Sequence, residues 1–160
     1  MYNDIVPFTL KPGQIHLAKK DGFIRTVVGS AVSVCIYDED LQHACMCHYV
    51  FPMPAPGDAP SGLYATESLP SMLRTMSGAG SKRRSLMAHI LGGASPTAVP
   101  DPTAEQNVEA ARFILNQNKI PIISEDVGGR VGRKIVFNAE NGNVAVVKVR
   151  NLRDGDWRED

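Results

Sequence analysis

Phe23-Ile24-Arg25-Thr26-Val27-Val28, then Gly29-Ser30-Ala31, then Val32-Ser33-Val34-Cys35-Ile36-Tyr37: two runs rich in β-branched and aromatic residues, separated by small ones, predict a strand, a tight turn and a second strand. The same character extends outward. Gln14 to Ala18 and Ala44 to Phe51 are short apolar or alternating runs, set off by Lys19-Lys20-Asp21-Gly22 and Asp38-Glu39-Asp40. The first third of the chain therefore reads as four strands with tight connections.

Pro52 to Pro60 contains four prolines and breaks regular structure, predicting an exposed loop. Beyond it, Leu69, Met72, Leu73 and Met76 recur at helical spacing within Gly62 to Met76, a helix in which Pro70 has to occupy a first turn or make a kink. Ser85 to Leu91 predicts a strand that ends in Gly92-Gly93-Ala94, where small residues permit close backbone approach or a positive φ. After a proline-containing loop, Ala104 to Asn118 places Val108, Ala111, Ile114 and Leu115 on one face, with Thr103 as its expected cap. Strands follow at Ile120 to Ser124, Lys134 to Asn138 and Asn143 to Val149. The last two flank Asn141-Gly142, the dipeptide of a type I′ hairpin turn. The expected fold class is α+β, layered, with mixed and largely antiparallel sheets and two main helices. A single domain is expected over residues 1–150, followed by a tail over 151–160 that carries the only tryptophan, Trp157.

Composition narrows the function. The 160 residues, 43% of them hydrophobic, suffice for one core without metal or disulfide staples. Seventeen basic residues balance seventeen acidic ones, so the chain has no long-range field to attract nucleic acid or anionic lipid. No apolar run reaches the roughly 20 residues of a membrane span, and Met1 to Pro12 has no signal-peptide pattern. Cys35, Cys45 and Cys47 are odd in number and suggest free thiols in a reducing, cytoplasmic setting.

Three constellations bear on chemistry. Cys45-Met46-Cys47-His48 resembles half a metal site, but the period of a strand sends the two thiols to one face and His48 to the other, so no metal is expected. The glycine-rich segment Gly128 to Lys134 matches no phosphate-binding motif and reads as a solvated basic connection; no cofactor is expected. The third is the Gly29-Ser30-Ala31 turn together with His48 near the end of a neighbouring strand, an arrangement able to hold a nucleophile, an imidazole and turn amides that face an oxyanion.

Gly29-Ser30-x-Val32, Cys35-x-Tyr37-Asp38, His48-x-x-x-Pro52, Gly92-Gly93-Ala94, Gln106-Asn107-Val108 and the run Glu125 to Lys134 together resemble the CheD family of chemotaxis proteins, in order and at similar intervals from about Ile15 to Lys148. The resemblance implies a CheD-like deamidase fold and a cysteine-dependent hydrolysis of glutamine side-chain amides in methyl-accepting chemoreceptors. It also implies two partners, the receptor cytoplasmic domain and a CheC-type phosphatase. It makes His48 the general base and Thr26 the residue that orients it, or Arg25 if the register moves by one. It puts the nucleophile, a cysteine in the family, at Ala31. A methyl group forms no acyl intermediate, so this chain is expected to be inactive. The departure fits either a substitution made to trap an inactive protein or a natural member that has kept a binding role, such as a non-catalytic adaptor. Cys35 does not substitute: two strand residues rise roughly 6.6 Å, which puts it about 13 Å from the turn. Ser30 needs stronger activation than a thiol and points away from the position of Ala31.

Overall fold

The computed structural model describes residues 6–95, 99 and 101–150; the expected tail with Trp157 lies outside the described residues. Among the described residues nine strands and two α-helices follow one another. They are β1 (Phe8–Thr9), β2 (Ile15–Lys19), β3 (Phe23–Val28), β4 (Val32–Asp38), β5 (His43–Cys47), α1 (Ala65–Gly78), β6 (Leu86–Gly92), α2 (Pro102–Gln117), β7 (Ile122–Val127), β8 (Gly132–Asn138) and β9 (Val144–Val149).

The strands form two sheets, ordered β1-β3-β8-β9 and β2-β5-β4-β6-β7. The β1–β3 and β6–β7 pairs are parallel and the other ladders antiparallel. This is the mixed, mainly antiparallel α+β fold anticipated from the residues. The strands on either side of Gly29-Ser30-Ala31 do not pair with each other, however. The turn carries the chain from the four-stranded sheet to the five-stranded one, and the neighbours of β4 are β5 and β6.

Alternation along β4 explains the layering. Val32, Val34 and Ile36 face α1 and α2, in a core with Cys45, Cys47, Leu69, Met72 and Leu115. Cys35 and Tyr37 face the other sheet, in a second core with Ile24, Met46, Leu91, Ile135 and Phe137. Every residue of β4 is buried because both faces are covered, which is why its sequence reads as a continuous apolar run.

Several local expectations change. Pro70 is the sixth residue of α1, past the first turn, and the helix continues to Gly78. Its missing N–H removes the i+4 donor to the Thr66 carbonyl. Helix α2 is capped by Asp101, whose carboxylate accepts the Thr103 N–H at 2.9 Å with Pro102 in the first helical position, so Thr103 is inside the helix rather than its cap. At the β8–β9 hairpin only Gly142 takes a positive φ (76°) and its N–H donates to the Asn138 carbonyl, a wider loop than type I′. The strand expected over Ala44 to Phe51 stops at Cys47, beyond which Tyr49 alone bridges to Val32.

Candidate active site

The site is assembled where the two sheets meet. Thr26 lies on β3 of one sheet, and His48 follows β5 of the other. Both are buried, at 2% and 1% exposure. The Thr26 hydroxyl stands 2.9 Å from His48 Nδ1 and donates to the Leu10 carbonyl at 2.8 Å. A hydroxyl has one proton, and a carbonyl can only accept. His48 Nδ1 must therefore be the donor toward Thr26, which makes Nε2 the nitrogen with the basic lone pair. Arg25 uses its Nε on the Thr9 hydroxyl at 2.8 Å, so the contact to His48 Nδ1 comes from Thr26. Burial lowers the His48 pKa to about 4, so the ring is neutral at neutral pH, the form a general base requires.

The pairing of β4 with the segment after β5 brings position 31 to this imidazole. Val32 and Tyr49 exchange both backbone hydrogen bonds, at 3.0 and 3.1 Å. In that antiparallel register Ala31 lies diagonal to His48, where Cα atoms are about 7–8 Å apart, a gap a thiol and an imidazole could close between them. Ala31 faces the core between the sheets and is 7% exposed.

The turn is tightly held. The carbonyls of Gly29, Ser30 and Ala31 accept, in order, the Ala94 N–H at 2.9 Å, the Asn107 Nδ2 amide at 3.1 Å and the Gly93 N–H at 2.9 Å. Glycine is required opposite it: a Cβ on Gly92, at φ 113°, would come 2.3 Å from the Ala31 carbonyl oxygen, and one on Gly93 would come 2.4 Å from Val108 Cγ2. Both reasons anticipated for Gly92-Gly93-Ala94 thus apply together. Arg133, 2% exposed, pairs with Asp126 at 3.1 Å and donates to the Gly128 carbonyl at 3.0 Å. The segment Gly128 to Lys134 is thus solvated at its turn, where Gly129 and Arg130 are exposed, but not throughout: Arg133 is buried and ties the β7–β8 loop down beside Gly92.

No other thiol serves the site. Cys35, Cys45 and Cys47 are buried, and burial raises all three pKa values, Cys47 to about 12. Cys45 and Cys47 face the helices, on the opposite side of the sheet from Thr26. Among the described residues, no three His, Cys, Asp or Glu side chains converge on a point where an ion could sit. A cavity of about 770 Å³ between α1 and α2 is lined by residues that include Met53, Pro70, Phe113 and Ile114 and by none of Thr26, Ala31 and His48.

Asn107 is the residue that reading the helix by its apolar face overlooked. It shares the buried face of α2 with Ala104, Val108, Ala111 and Leu115, and a polar side chain at that phase was the available signal.

A two-sheet α+β scaffold thus sets a neutral imidazole, its tautomer fixed by a threonine, beside a clamped turn, surroundings that a nucleophile at position 31 would need and that Ala31 leaves without one. Over residues 52–148 the chain matches the family model described as CheD chemotactic sensory transduction. It is 33% identical over 141 residues to a Sulfurimonas denitrificans protein named "Probable chemoreceptor glutamine deamidase CheD", covering 86% of this chain and 90% of that one. A Geobacter sulfurreducens protein named "Probable chemoreceptor glutamine deamidase CheD 2" is 33% identical over 153 residues, with 92% of each chain covered. A Methanococcus vannielii relative with the same name as the first is 29% identical over 149 residues, covering 91% and 97%. The chain belongs to the CheD family. No helix among the described residues is long and apolar enough to cross a membrane.

Proposed function

We propose that this chain is a chemoreceptor glutamine deamidase scaffold, one domain over residues 1–150, that engages glutamine side chains of methyl-accepting chemoreceptors in the cytoplasm and does not hydrolyse them. The observation that carries this reading is the Thr26–His48 pair at 2.9 Å, with burial favouring the neutral ring, beside a position 31 that ends in a methyl group. In the reaction this geometry suits, His48 Nε2 takes the proton of a thiol at position 31 and the thiolate attacks the carboxamide carbon. His48 then returns the proton so that ammonia leaves, and water hydrolyses the thioester to glutamate. Thr26 keeps Nδ1 as the donor throughout. With Ala31 the sequence stops before the first bond forms.

The missing nucleophile also supports a second reading, a non-catalytic adaptor for the receptor or a CheC-type phosphatase. The exposed Phe113 and Met53 beside the α1–α2 cavity provide that reading with an apolar surface distinct from position 31.

One experiment separates them. Incubate the chain and its Ala31→Cys variant with a purified receptor cytoplasmic domain, and follow ammonia release together with the mass gain of each amide-to-acid conversion. Under the first reading only the variant is active, and adding His48→Ala abolishes its activity. A variant that binds receptor or phosphatase yet converts nothing supports the adaptor.

A further inference from the structure

We infer that Asn107 is a positioning residue that aims the backbone N–H of residue 31 at the oxygen of a bound carboxamide; this rests on the deamidase-scaffold reading above. Asn107 is fully buried on α2, and its Nδ2 donates both to the Ser30 carbonyl at 3.1 Å and to the Val50 carbonyl at 2.8 Å. One amide thus ties the turn before β4 to the segment that follows His48. The Tyr49 hydroxyl fixes the helix in return by donating to the Asn107 carbonyl at 2.5 Å.

The direction of the Ser30–Ala31 peptide follows from that bond. No peptide in the described chain is cis, so the Ala31 N–H points opposite to the Ser30 C=O. With the carbonyl held toward α2, the N–H is turned away from α2. That is the side of the sheet on which the Ala31 side chain and the Thr26-bound His48 ring lie. The flanking carbonyls of Gly29 and Ala31 are held by the backbone N–H groups of Ala94 and Gly93, so among the described residues Asn107 is the one side chain in the clamp. The N–H groups of Ser30 and Ala31 donate to no acceptor among the described residues. An N–H fixed in that direction before substrate arrives is what a developing oxyanion requires.

Asn107 also bears a cost that packing alone does not explain. Its Oδ1 is buried without a hydrogen-bond partner, at a phase of α2 whose other members are apolar. The donor half of the amide is what the position uses.

The test uses Asn107→Asp, nearly isosteric but without the donor, with Asn107→Ala as a second variant and Val108→Ala as a packing control. In the Ala31→Cys background, Asn107→Asp is expected to lower kcat for glutamine amide hydrolysis about 100-fold, the effect of one lost oxyanion donor. KM and the iodoacetamide alkylation rate of the introduced thiol stay nearly unchanged, because alkylation builds no oxyanion. Unchanged kcat, or kcat and alkylation falling in parallel as in Val108→Ala, would overturn the assignment. In the chain with Ala31 kept, Asn107→Asp is expected to reverse the peptide, so that the Ala31 amide proton meets the new carboxylate, moves downfield and exchanges at least about tenfold more slowly. An unmoved Ala31 resonance contradicts the inference. If Ala31→Cys alone hydrolyses no glutamine, the proposed function fails and the oxyanion role of Asn107 falls with it, whereas a shifted Ala31 resonance would still show that Asn107 sets the direction of the Ser30–Ala31 peptide.

Discussion

His48 links protonation to folding. In the folded chain its ring stays neutral down to about pH 4, whereas the unfolded imidazole takes a proton below about pH 6.5. Between those values protons favour the unfolded state, so the contribution of His48 to stability is full above about pH 6.5 and is lost as the pH falls toward 4. The gap corresponds to something on the order of 3 kcal/mol. Urea unfolding at a series of pH values should show this loss, and His48→Asn should flatten it. Burial also lowers the pKa values of His16 and His89, so a smaller slope of the same sign should remain. Thr26→Val keeps the shape of the side chain but removes both hydrogen bonds. We expect it to cost about 1–3 kcal/mol in unfolding free energy and to abolish the ordered Nδ1 proton resonance of His48. At this scale, the place of Ala31 was legible because small residues and a later histidine stand at distinctive intervals. Asn107 was not, because its role depends on which carbonyls its helix meets after the chain has folded.

At the scale of elements, α2 and the Gly92-Gly93 turn are the supports of the site, and each has a direct check. Asp101→Ala should destabilise the protein by about 1 kcal/mol through loss of the helix cap, while Thr103→Ala, which removes no capping side chain, should be nearly neutral in the same thermal unfolding assay. Equal effects would restore Thr103 as the cap. Gly92→Ala drives a Cβ toward the Ala31 carbonyl oxygen at 2.3 Å and should displace the turn, visible as shifted amide resonances over residues 29–32. The strands and helices themselves were readable, since period-two and period-3.6 patterns are local. The partition into two sheets was not. Gly29-Ser30-Ala31 has the composition of a hairpin turn, and only the long-range pairing of β3 with β8 and of β4 with β5 and β6 shows that it crosses between layers. The cap of α2 was misread for a related reason: Pro102 fits a first helical position as well as a loop.

Across the whole molecule, the two cores and the site share one strand. β4 gives alternate residues to the helix-facing core and to the inter-sheet core, and its first residue, Val32, holds the partner strand that delivers His48. The three native thiols belong to this packing, so alkylation of the folded protein should be slow and should become fast only on unfolding; rapid labelling would contradict their burial. The same architecture leaves one atom to decide between a scaffold of catalysis and a scaffold of another kind. The direct measurement is glutamine-to-glutamate conversion in a receptor cytoplasmic domain by the chain and by Ala31→Cys. We predict none with Ala31, conversion with the variant, and loss of that conversion when His48→Ala is added. An inert variant, or conversion that survives His48→Ala, would contradict the assignment of this turn and this imidazole as the active site.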